Sequence, residues 1–376
     1  MNKVILLGDL HFGMRRFSLP FLENQLKLFN EQVFPYMIEN NISEIYQFGD
    51  LTDNRVISDT IWLETLKRDF FEKLAINNFT LYTLLGNHDI AYRESRDISL
   101  VESISQIYPN NFKIFKERTT INLCGRKTYI VPWLVKGESL SHAEIHDKEI
   151  IFGHFEIRNF AMVKGHIDVT SPLTEEFFKS NTLVDRIFSG HYHLKNTKSD
   201  IKYLGTPFQL NWNDSGENKG FYVWDGMDLD FIENTTTKKF IKVKYDDSGL
   251  NNKNIEIEGL FNHKIYVDDE ELKLMSKKLE NHELKFFINK AKDRHFDEVL
   301  YSMKEMHLQP AIINNQEISD IIGLDYMVNF KNESNSGFKN TRELIIEAVQ
   351  EIKVELMDVL MDILIEIESN KTKENQ

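Results

Sequence analysis

Short apolar runs, each ending in a glycine and then a metal-binding side chain, recur along the first half of the chain. "VILLGDLH" runs from Val4 to His11, "EIYQFGD" ends at Asp50 and "LYTLLGNHD" ends at Asp89. "EIIFGH" and "DRIFSGHYH" repeat the pattern further along. Runs that are apolar at nearly every position predict strands buried on both faces, in sheets covered by helices. Functional groups collect at the carboxyl ends of strands in open α/β sheets, so the five strand ends are expected to meet at one site.

The segments between these runs predict the elements that would cover the sheets. "LENQLKLFNEQVFPYMIENN" has apolar residues at helical spacing. Its apolar face consists of Leu22, Leu26, Phe29, Val33 and Met37. Strand and helix alternate to about residue 110, and "RTTINLCGRKTYIVPW" then predicts a β-hairpin around Cys124, Gly125 and Arg126. Trp133 follows this hairpin and is expected in the core or in an interface.

The five strand ends supply imidazoles, carboxylates and one amide oxygen, and no thiolate. The candidate ligands are Asp9, His11, Asp50, Asn87, His154, His191 and His193. This mixture suits a hard or borderline divalent ion. It is not the ligand set of a structural zinc site, which is rich in thiolates. Seven ligands are too many for one ion and suit two, with Asp50 as the expected shared carboxylate. Such paired ions lie about 3.5–4 Å apart and stabilise the attacking and leaving oxygens of a phosphoryl displacement.

The strings "GDLH", "GDLTD", "GNHD", "GH" and "GHYH", in this order, resemble the motif set of the calcineurin-like metallophosphoesterases. The resemblance covers roughly the first 225 residues and implies an α/β fold, a two-sheet sandwich flanked by helices. It implies that one ion is bound by Asp9, His11, Asp50 and His193, and the other by Asp50, Asn87, His154 and His191. His88 would be the catalytic acid or phosphate-stabilising residue, and a water or hydroxide between the ions the nucleophile. Mn²⁺ is the expected ion, with Mg²⁺, Fe²⁺ or Zn²⁺ as alternatives.

Within this superfamily the chain is most similar to the SbcD-type DNA-repair nucleases, especially the bacteriophage recombination subunits that pair with an SMC-like ATPase. The strings "GHFEIRNFAMVKG", "YLGTPFQLNW" and "NKGFYVWD" carry this likeness. Most cellular relatives have a histidine where this chain has Asp53, whereas the phage subunits and the phosphoprotein phosphatases have an aspartate. Asp53 is expected to orient His88 and to favour its protonated form. The alternative is that Asp53 caps the following helix or makes a turn.

Composition along the chain predicts three parts. The phosphoesterase domain is expected over residues 1–233, where the polar string "IENTTTKKF" begins to interrupt the pattern. Residues 241–330 alternate strand-like and helix-like pieces and predict a small α+β capping domain. In the resembled nucleases such a domain caps the active site and touches DNA. Its charges are nearly balanced here, so a purely structural cap is an equal alternative.

Residues 341–369 predict a C-terminal helix behind the polar linker "KNESNSGFKN". Apolar residues are spaced alternately four and three apart from Ile345 to Ile363. A helix with so wide an apolar face needs a surface to pack on. Docking on the SMC-like ATPase partner is the favoured interpretation, and packing on its own domain is the alternative. The resemblance also implies a homodimer through helices of the phosphoesterase domain.

The charge balance bears on the expected substrate, DNA. The chain has 45 Lys and Arg against 59 Asp and Glu, a net charge of −14. Free-standing DNA binders usually carry a basic patch, so the ions and a partner are expected to supply positive charge. Cys124 is the single cysteine, and neither a signal peptide nor an apolar run of membrane-spanning length is visible. A cytoplasmic location is therefore expected, in the host cytoplasm if the chain is phage-encoded.

Three function hypotheses follow from these patterns. The first is a two-metal DNA exonuclease or endonuclease, the nuclease subunit of a recombination and repair complex that processes DNA ends. The second is a phosphomonoesterase or cyclic-nucleotide phosphodiesterase with the same site. The third is a non-catalytic scaffold, against which the complete set of ligand positions argues.

Overall fold

The computed structural model describes residues 3–53, 55, 59–180, 183–245, 255–261, 263–280, 282–288 and 311–314. The chain divides between Lys238 and Lys239 into two compact units. This division lies in the interval 234–240 that separates the first two predicted domains. The predicted C-terminal helix, residues 341–369, lies outside the described residues.

The strands of the first unit are short. In chain order they are β1 Val4–Leu7, β2 Glu44–Gln47, β3 Thr80–Leu84, β4 Ile90–Tyr92, β5 Ser95–Ser99, β6 Phe112–Phe115, β7 Thr119–Leu123, β8 Arg126–Val131, β9 Ile150–His154, β10 Ala161–Val163, β11 His166–Ile167, β12 Arg186–Gly190, β13 Asn196–Lys198, β14 Ile201–Tyr203, β15 Gly220–Trp224 and β16 Leu229–Glu233.

Two mixed sheets dominate this unit. The first has the order β16-β15-β1-β2-β3-β6, and the second β13-β14-β12-β9-β8-β7. β1, β2, β3 and β6 run parallel to one another, as do β8, β9, β12 and β14. The hairpin predicted around Cys124, Gly125 and Arg126 is the antiparallel pair β7–β8, in which Arg126 is already the first residue of β8. Two-stranded ribbons, β4–β5 and β10–β11, stand apart from the sheets.

The two sheets pack face to face. One buried cluster draws Val4, Tyr46 and Trp224 from the first sheet and Phe152 and Phe188 from the second. The Trp224 ring lies 5.7 Å from the Phe152 ring and 6.0 Å from the Phe188 ring, measured between centroids. Because apolar side chains from both sheets interdigitate here, the sandwich is held by burial of large aromatic surfaces.

Helices cover the strands. They are α1 Met14–Phe17, α2 Leu19–Leu28, α3 Phe34–Glu39, α4 Thr60–Leu66, α5 Glu72–Ile76, α6 Leu100–Ser105, α7 His142–Ile145 and α8 Glu175–Lys179. Single π-helical turns, Phe29–Val33 and Lys67–Phe71, join α2 to α3 and α4 to α5. The five residues of the predicted apolar face, Leu22 to Met37, are all buried. This arrangement confirms the predicted α/β sandwich of two sheets flanked by helices.

The helix that begins at Thr60 settles one alternative for Asp53. The side chain of Asp59, not that of Asp53, accepts the hydrogen bond from the backbone N–H of Trp62, at 2.9 Å. The interpretation of Asp53 as the cap of this helix is therefore wrong, because the capping position is six residues further along the chain.

The second unit has its own sheet and core. Its strands β17 Phe240–Tyr245, β18 Ile255–Glu258, β19 Ile265–Val267, β20 Glu283–Ile288 and β21 Ala311–Asn314 are ordered β19-β18-β17-β20-β21. Helix α9, Asp269–Leu279, follows β19. Ile241, Val243, Ile257 and Leu272 belong to its buried cluster. In the described part of the chain, no helix is long and apolar enough to cross a membrane.

Candidate metal centre

The predicted ligands stand at the carboxyl ends of parallel strands in both sheets. Asp9, Asp50 and Asn87 follow β1, β2 and β3 of the first sheet. His154 is the last residue of β9, and His191 follows β12 of the second sheet. Since parallel strands present these ends at the same edge, the two sheets bring their polar termini together. Each of the seven predicted ligands has a donor atom within 3.9 Å of a donor atom of another.

The first group of donors contains Asp9, His11 and His193. His11 Nε2 lies 3.0 Å from His193 Nε2 and 3.9 Å from Asp9 Oδ2. The carboxylate of Asp50 is also near, with Oδ2 3.8 Å from His11 Nε2. These four residues are the set expected for one ion.

The second group contains Asp50, His154 and His191. His154 Nε2 lies 3.3 Å from Asp50 Oδ2. The side-chain oxygen of Asn87 completes the group, at 2.9 Å from His154 Nε2 and 3.1 Å from His191 Nδ1. Asp50 thus lies beside both groups, where a bridging carboxylate is expected.

Backbone geometry allows the strand ends to approach so closely. A Cβ on Gly190 would lie 2.2 Å from the Phe48 carbonyl oxygen and 2.6 Å from Asp9 Oδ1. Only glycine fits at this position. Three ligands themselves adopt positive φ, with values of 47° for His11, 54° for Asp50 and 83° for His191. Strained backbone of this kind persists only where the surroundings hold it, and it clusters at functional sites.

Backbone groups also fix the orientation of the ligand side chains. The N–H of His191 donates to both carboxylate oxygens of Asp9, at 3.0 Å each, and the N–H of His88 donates to Asp50 Oδ1 at 2.8 Å. The carbonyl of Phe48 accepts a 2.6 Å hydrogen bond from Nδ1 of His154. That bond leaves Nε2 of His154 as the nitrogen that faces Asn87, the arrangement typical of metal-binding histidines.

The electrostatics of the pocket favour positive charge beside Asp50. Burial disfavours protonation of His154, but the neighbouring Asp50 and Asp9 carboxylates outweigh it and raise the pKa of His154 to about 9. Burial also opposes ionisation of Asp50, yet His154 and His88 hold the pKa of that carboxyl well below its usual range. Burial lowers the pKa of His193 well below its usual value. A metal ion bound here would displace the proton of His154, because neutral imidazole and ionised carboxylate are the forms that bind a metal.

The donor set fits two divalent ions. Ligand atoms about 2.1 Å from an ion and at right angles to each other lie about 3.0 Å apart, close to the shortest separations in both groups. With its Nδ1 proton donated to Phe48, neutral His154 would point a lone pair at the Asn87 oxygen 2.9 Å away. Two lone pairs so close repel each other, and a cation bound by both His154 Nε2 and the Asn87 oxygen would remove that repulsion.

His88 and Asp53 lie at the edge of this centre, in a contact that differs from the expected one. His88 Nδ1 donates to the backbone carbonyl of Asp53 at 2.9 Å. The carboxylate of Asp53 lies 4.0 Å from His88 Nδ1 but 3.3 Å from His11 Nδ1. Both side chains are partly exposed, 27% for His88 and 24% for Asp53. Asp53 therefore orients His88 through its main chain and places its carboxylate closer to His11.

Sequence reasoning missed three residues that surround the ligands. Glu156 Oε1 lies 3.3 Å from His191 Nε2. The ring of Trp133, expected in the core or an interface, lies 5.2 Å from the His191 ring and is partly exposed. Lys219 is buried and donates to the backbone carbonyl of His193 at 2.8 Å. Only the proximity of Glu156 to the "GH" string was a signal in the sequence.

Several known proteins are similar to this chain. Exonuclease subunit 1 of Enterobacteria phage T4 is 28% identical over 240 residues, which are 62% of this chain and 68% of that protein. A solved structure described as a novel archaeal phosphodiesterase covers 62% of this chain and 99% of its own, with 13% identity and a TM-score of 0.31. Residues 2–195, which contain all the predicted ligands, match the family described as calcineurin-like phosphoesterase, and the chain belongs to that family.

Proposed function

We propose that this chain is a two-metal-dependent DNA nuclease, an exonuclease or endonuclease that hydrolyses phosphodiester bonds. The observation that carries the proposal is the overlap of two ligand groups at Asp50. Two ions held by a shared carboxylate suit in-line phosphoryl displacement. The printed name of the phage T4 relative supports a nuclease that works as one subunit of a complex.

Members of this family bind divalent metal ions, and this chain offers the clusters to do so. We propose Mn²⁺ as the ion, bound by the two sets of ligands that share Asp50. When bound, such ions neutralise phosphate charge and lower the pKa of a water molecule. Asn87 supplies a neutral oxygen and Asp50 a charged one, so the ligands leave net positive charge for the phosphodiester.

His88 is proposed as the proton-transfer or phosphate-stabilising residue. Its Nδ1–H donates to the Asp53 carbonyl, which orients the ring and leaves Nε2 as the nitrogen that can exchange a proton. The Asp53 carboxylate at 4.0 Å favours the protonated form of His88 by Coulombic attraction. A protonated Nε2 could stabilise the phosphoryl oxygens or protonate the leaving oxygen of DNA.

The proposed partner explains how so acidic a chain could act on DNA. The net charge is −14, and the phosphate backbone is recognised chiefly by basic side chains. We propose that an SMC-like ATPase binds residues 341–369 and supplies basic surface, in a recombination and repair complex built on a homodimer. Contact of the 241–330 domain with DNA, and a location in the cytoplasm, also remain predictions.

The test measures metal content and hydrolysis together. Apo protein is loaded with Mn²⁺, its bound metal is counted, and it is assayed on labelled linear DNA, bis(p-nitrophenyl) phosphate and p-nitrophenyl phosphate, with and without the ATPase. Two ions per chain with cleavage of DNA and of the diester are expected. Cleavage of the monoester alone would favour the phosphomonoesterase, and two-ion binding with no hydrolysis of any substrate would favour the scaffold.

A further inference from the structure

Both ring nitrogens of His191 lie close to oxygen atoms of other side chains. Its Nδ1 lies 3.1 Å from the Asn87 oxygen, on the side of the second ligand group. Its Nε2 lies 3.3 Å from Glu156 Oε1. A histidine binds a metal through one nitrogen only, and the partner of the other nitrogen decides which tautomer is present. Glu156 is thus placed to determine which nitrogen of His191 carries the proton.

Glu156 lies outside the two groups of proposed ligands and contacts one of their members. It is two residues past His154, where β9 has ended, and its side chain is 41% exposed. Among the described residues, the clusters of acidic and histidine side chains that could hold an ion do not include it. Its carboxylate approaches His191 at the nitrogen turned away from Asn87. Contact through the far side of an imidazole is the geometry of a carboxylate–histidine–metal triad.

A second contact fixes the plane of the same ring. Trp133 lies with its centroid 5.2 Å from that of His191 and an interplanar angle of 36°. The same indole meets the ring of His154 edge to face, at 5.8 Å and 73°. Glu156 and Trp133 therefore contact His191 independently, one at Nε2 and one by packing against the ring.

We propose that Glu156 is a positioning residue for the second metal ion. Its carboxylate accepts the Nε2–H of His191, which leaves the lone pair on Nδ1 directed at the ion shared with Asn87 and His154. This inference rests on the two-ion centre proposed above, but not on DNA as the substrate. Loss of such an outer partner typically weakens metal binding by about 10–100-fold.

The experiment compares three variants by metal titration of apo protein. Glu156→Ala removes the acceptor, and Glu156→Gln keeps an acceptor oxygen without the charge. Glu102→Ala is the matched control, because Glu102 is 38% exposed and pairs with Lys116. Calorimetry and the Mn²⁺ electron paramagnetic resonance spectrum give the two dissociation constants and the magnetic coupling between paired ions. Thermal unfolding of each apo protein verifies that it is folded.

We expect Glu156→Ala to weaken the second site by about 10–100-fold while the first site keeps its affinity, so the coupled spectrum appears only at higher Mn²⁺. Glu156→Gln should retain most of the affinity, and the control all of it. Wild-type affinity in Glu156→Ala would overturn the proposal. Equal loss in both Glu156 variants would also overturn it, because Gln keeps an oxygen that can accept the same hydrogen bond. A wild-type chain that binds fewer than two ions would overturn the two-ion centre as well.

Discussion

His88 is proposed to transfer a proton and is not one of the seven proposed metal ligands. Its backbone N–H donates a hydrogen bond to Asp50, and its ring donates one to the Asp53 carbonyl. Removal of the ring should therefore leave both ligand groups intact. His88→Ala should keep two ions and lose about 10²–10⁴-fold in turnover, the usual contribution of a general acid or base. Metal analysis and DNA hydrolysis on the same sample measure both. Turnover close to wild type, with the ions bound, would contradict the role.

Asp53→Asn tests the contact that the structure places differently from the sequence prediction. The main-chain carbonyl of Asp53 accepts the hydrogen bond from His88, so this substitution keeps that bond and removes only the carboxylate charge. Turnover should fall less than in His88→Ala, and the double variant should resemble His88→Ala alone. Additive losses in the double variant would mean that the two residues act separately.

Asp50 lies beside both ligand groups and is the proposed bridge between them. Asp50→Asn replaces the shared carboxylate with a neutral amide that cannot balance two cations, so the variant should lose bound metal and nuclease activity while it stays folded. Anomalous scattering from crystals grown with Mn²⁺ provides the measurement. Two fully occupied metal positions in this variant would show that Asp50 is not the bridge.

At the scale of elements, a buried ion pair supports the loop that carries His193. Lys219 Nζ lies 2.8 Å from Asp214 Oδ1, with both side chains 4% exposed. Asp214 also accepts the N–H of Leu210 at 2.8 Å. Lys219→Met leaves a buried carboxylate without its partner and should cost about 3–5 kcal/mol of unfolding free energy.

Urea unfolding of metal-free protein measures that cost. The control is Lys67→Met, because Lys67 forms a pair with the exposed Glu64 at 2.8 Å and exposed pairs contribute little to stability. The pair with Lys219 would be dispensable if the two variants unfolded at the same urea concentration.

Elements were predictable from the sequence where one regular pattern specified them. Apolar runs followed by a polar residue predicted the five strand ends, and helical spacing predicted the apolar face from Leu22 to Met37. The π-turn Phe29–Val33 inside that helix was not predictable, because one widened turn leaves apolar residues three and four apart. Glu156, Trp133 and Lys219 could not be found either, since their contacts with ligands exist only after distant segments have packed.

At the scale of the whole molecule, the C-terminal segment is predicted to bring the chain to its ATPase. Deletion of the residues after Phe338 should leave both ions bound and hydrolysis of a small phosphodiester unchanged, because all candidate ligands precede residue 195. The same deletion should abolish co-purification with the ATPase and reduce processing of long duplex DNA.

Ile352→Lys and Val359→Lys together should reproduce the deletion, since each puts a charge on the apolar face. Neutralisation of Glu351 and Glu355, which helical spacing assigns to another face of the predicted helix, should matter less. Unchanged affinity of the truncated chain for the ATPase would assign the segment to this chain's own fold.

Each ligand group draws residues from both sheets, and this has a consequence for the stability of the molecule. Asp9 and Asp50 follow strands of the first sheet, whereas His154 ends a strand of the second sheet and His193 lies in the loop after another. Bound ions therefore act as cross-links between the layers of the sandwich. At a free Mn²⁺ concentration 100 times the dissociation constant, one such cross-link adds about 2.7 kcal/mol to the folding free energy.

Chelation should accordingly lower the melting temperature and speed amide hydrogen exchange first at the strand ends, before the strand centres open. Identical melting curves with EDTA and with Mn²⁺ would contradict this coupling. In a cell, the supply of metal would then set the lifetime of the folded chain as well as its activity.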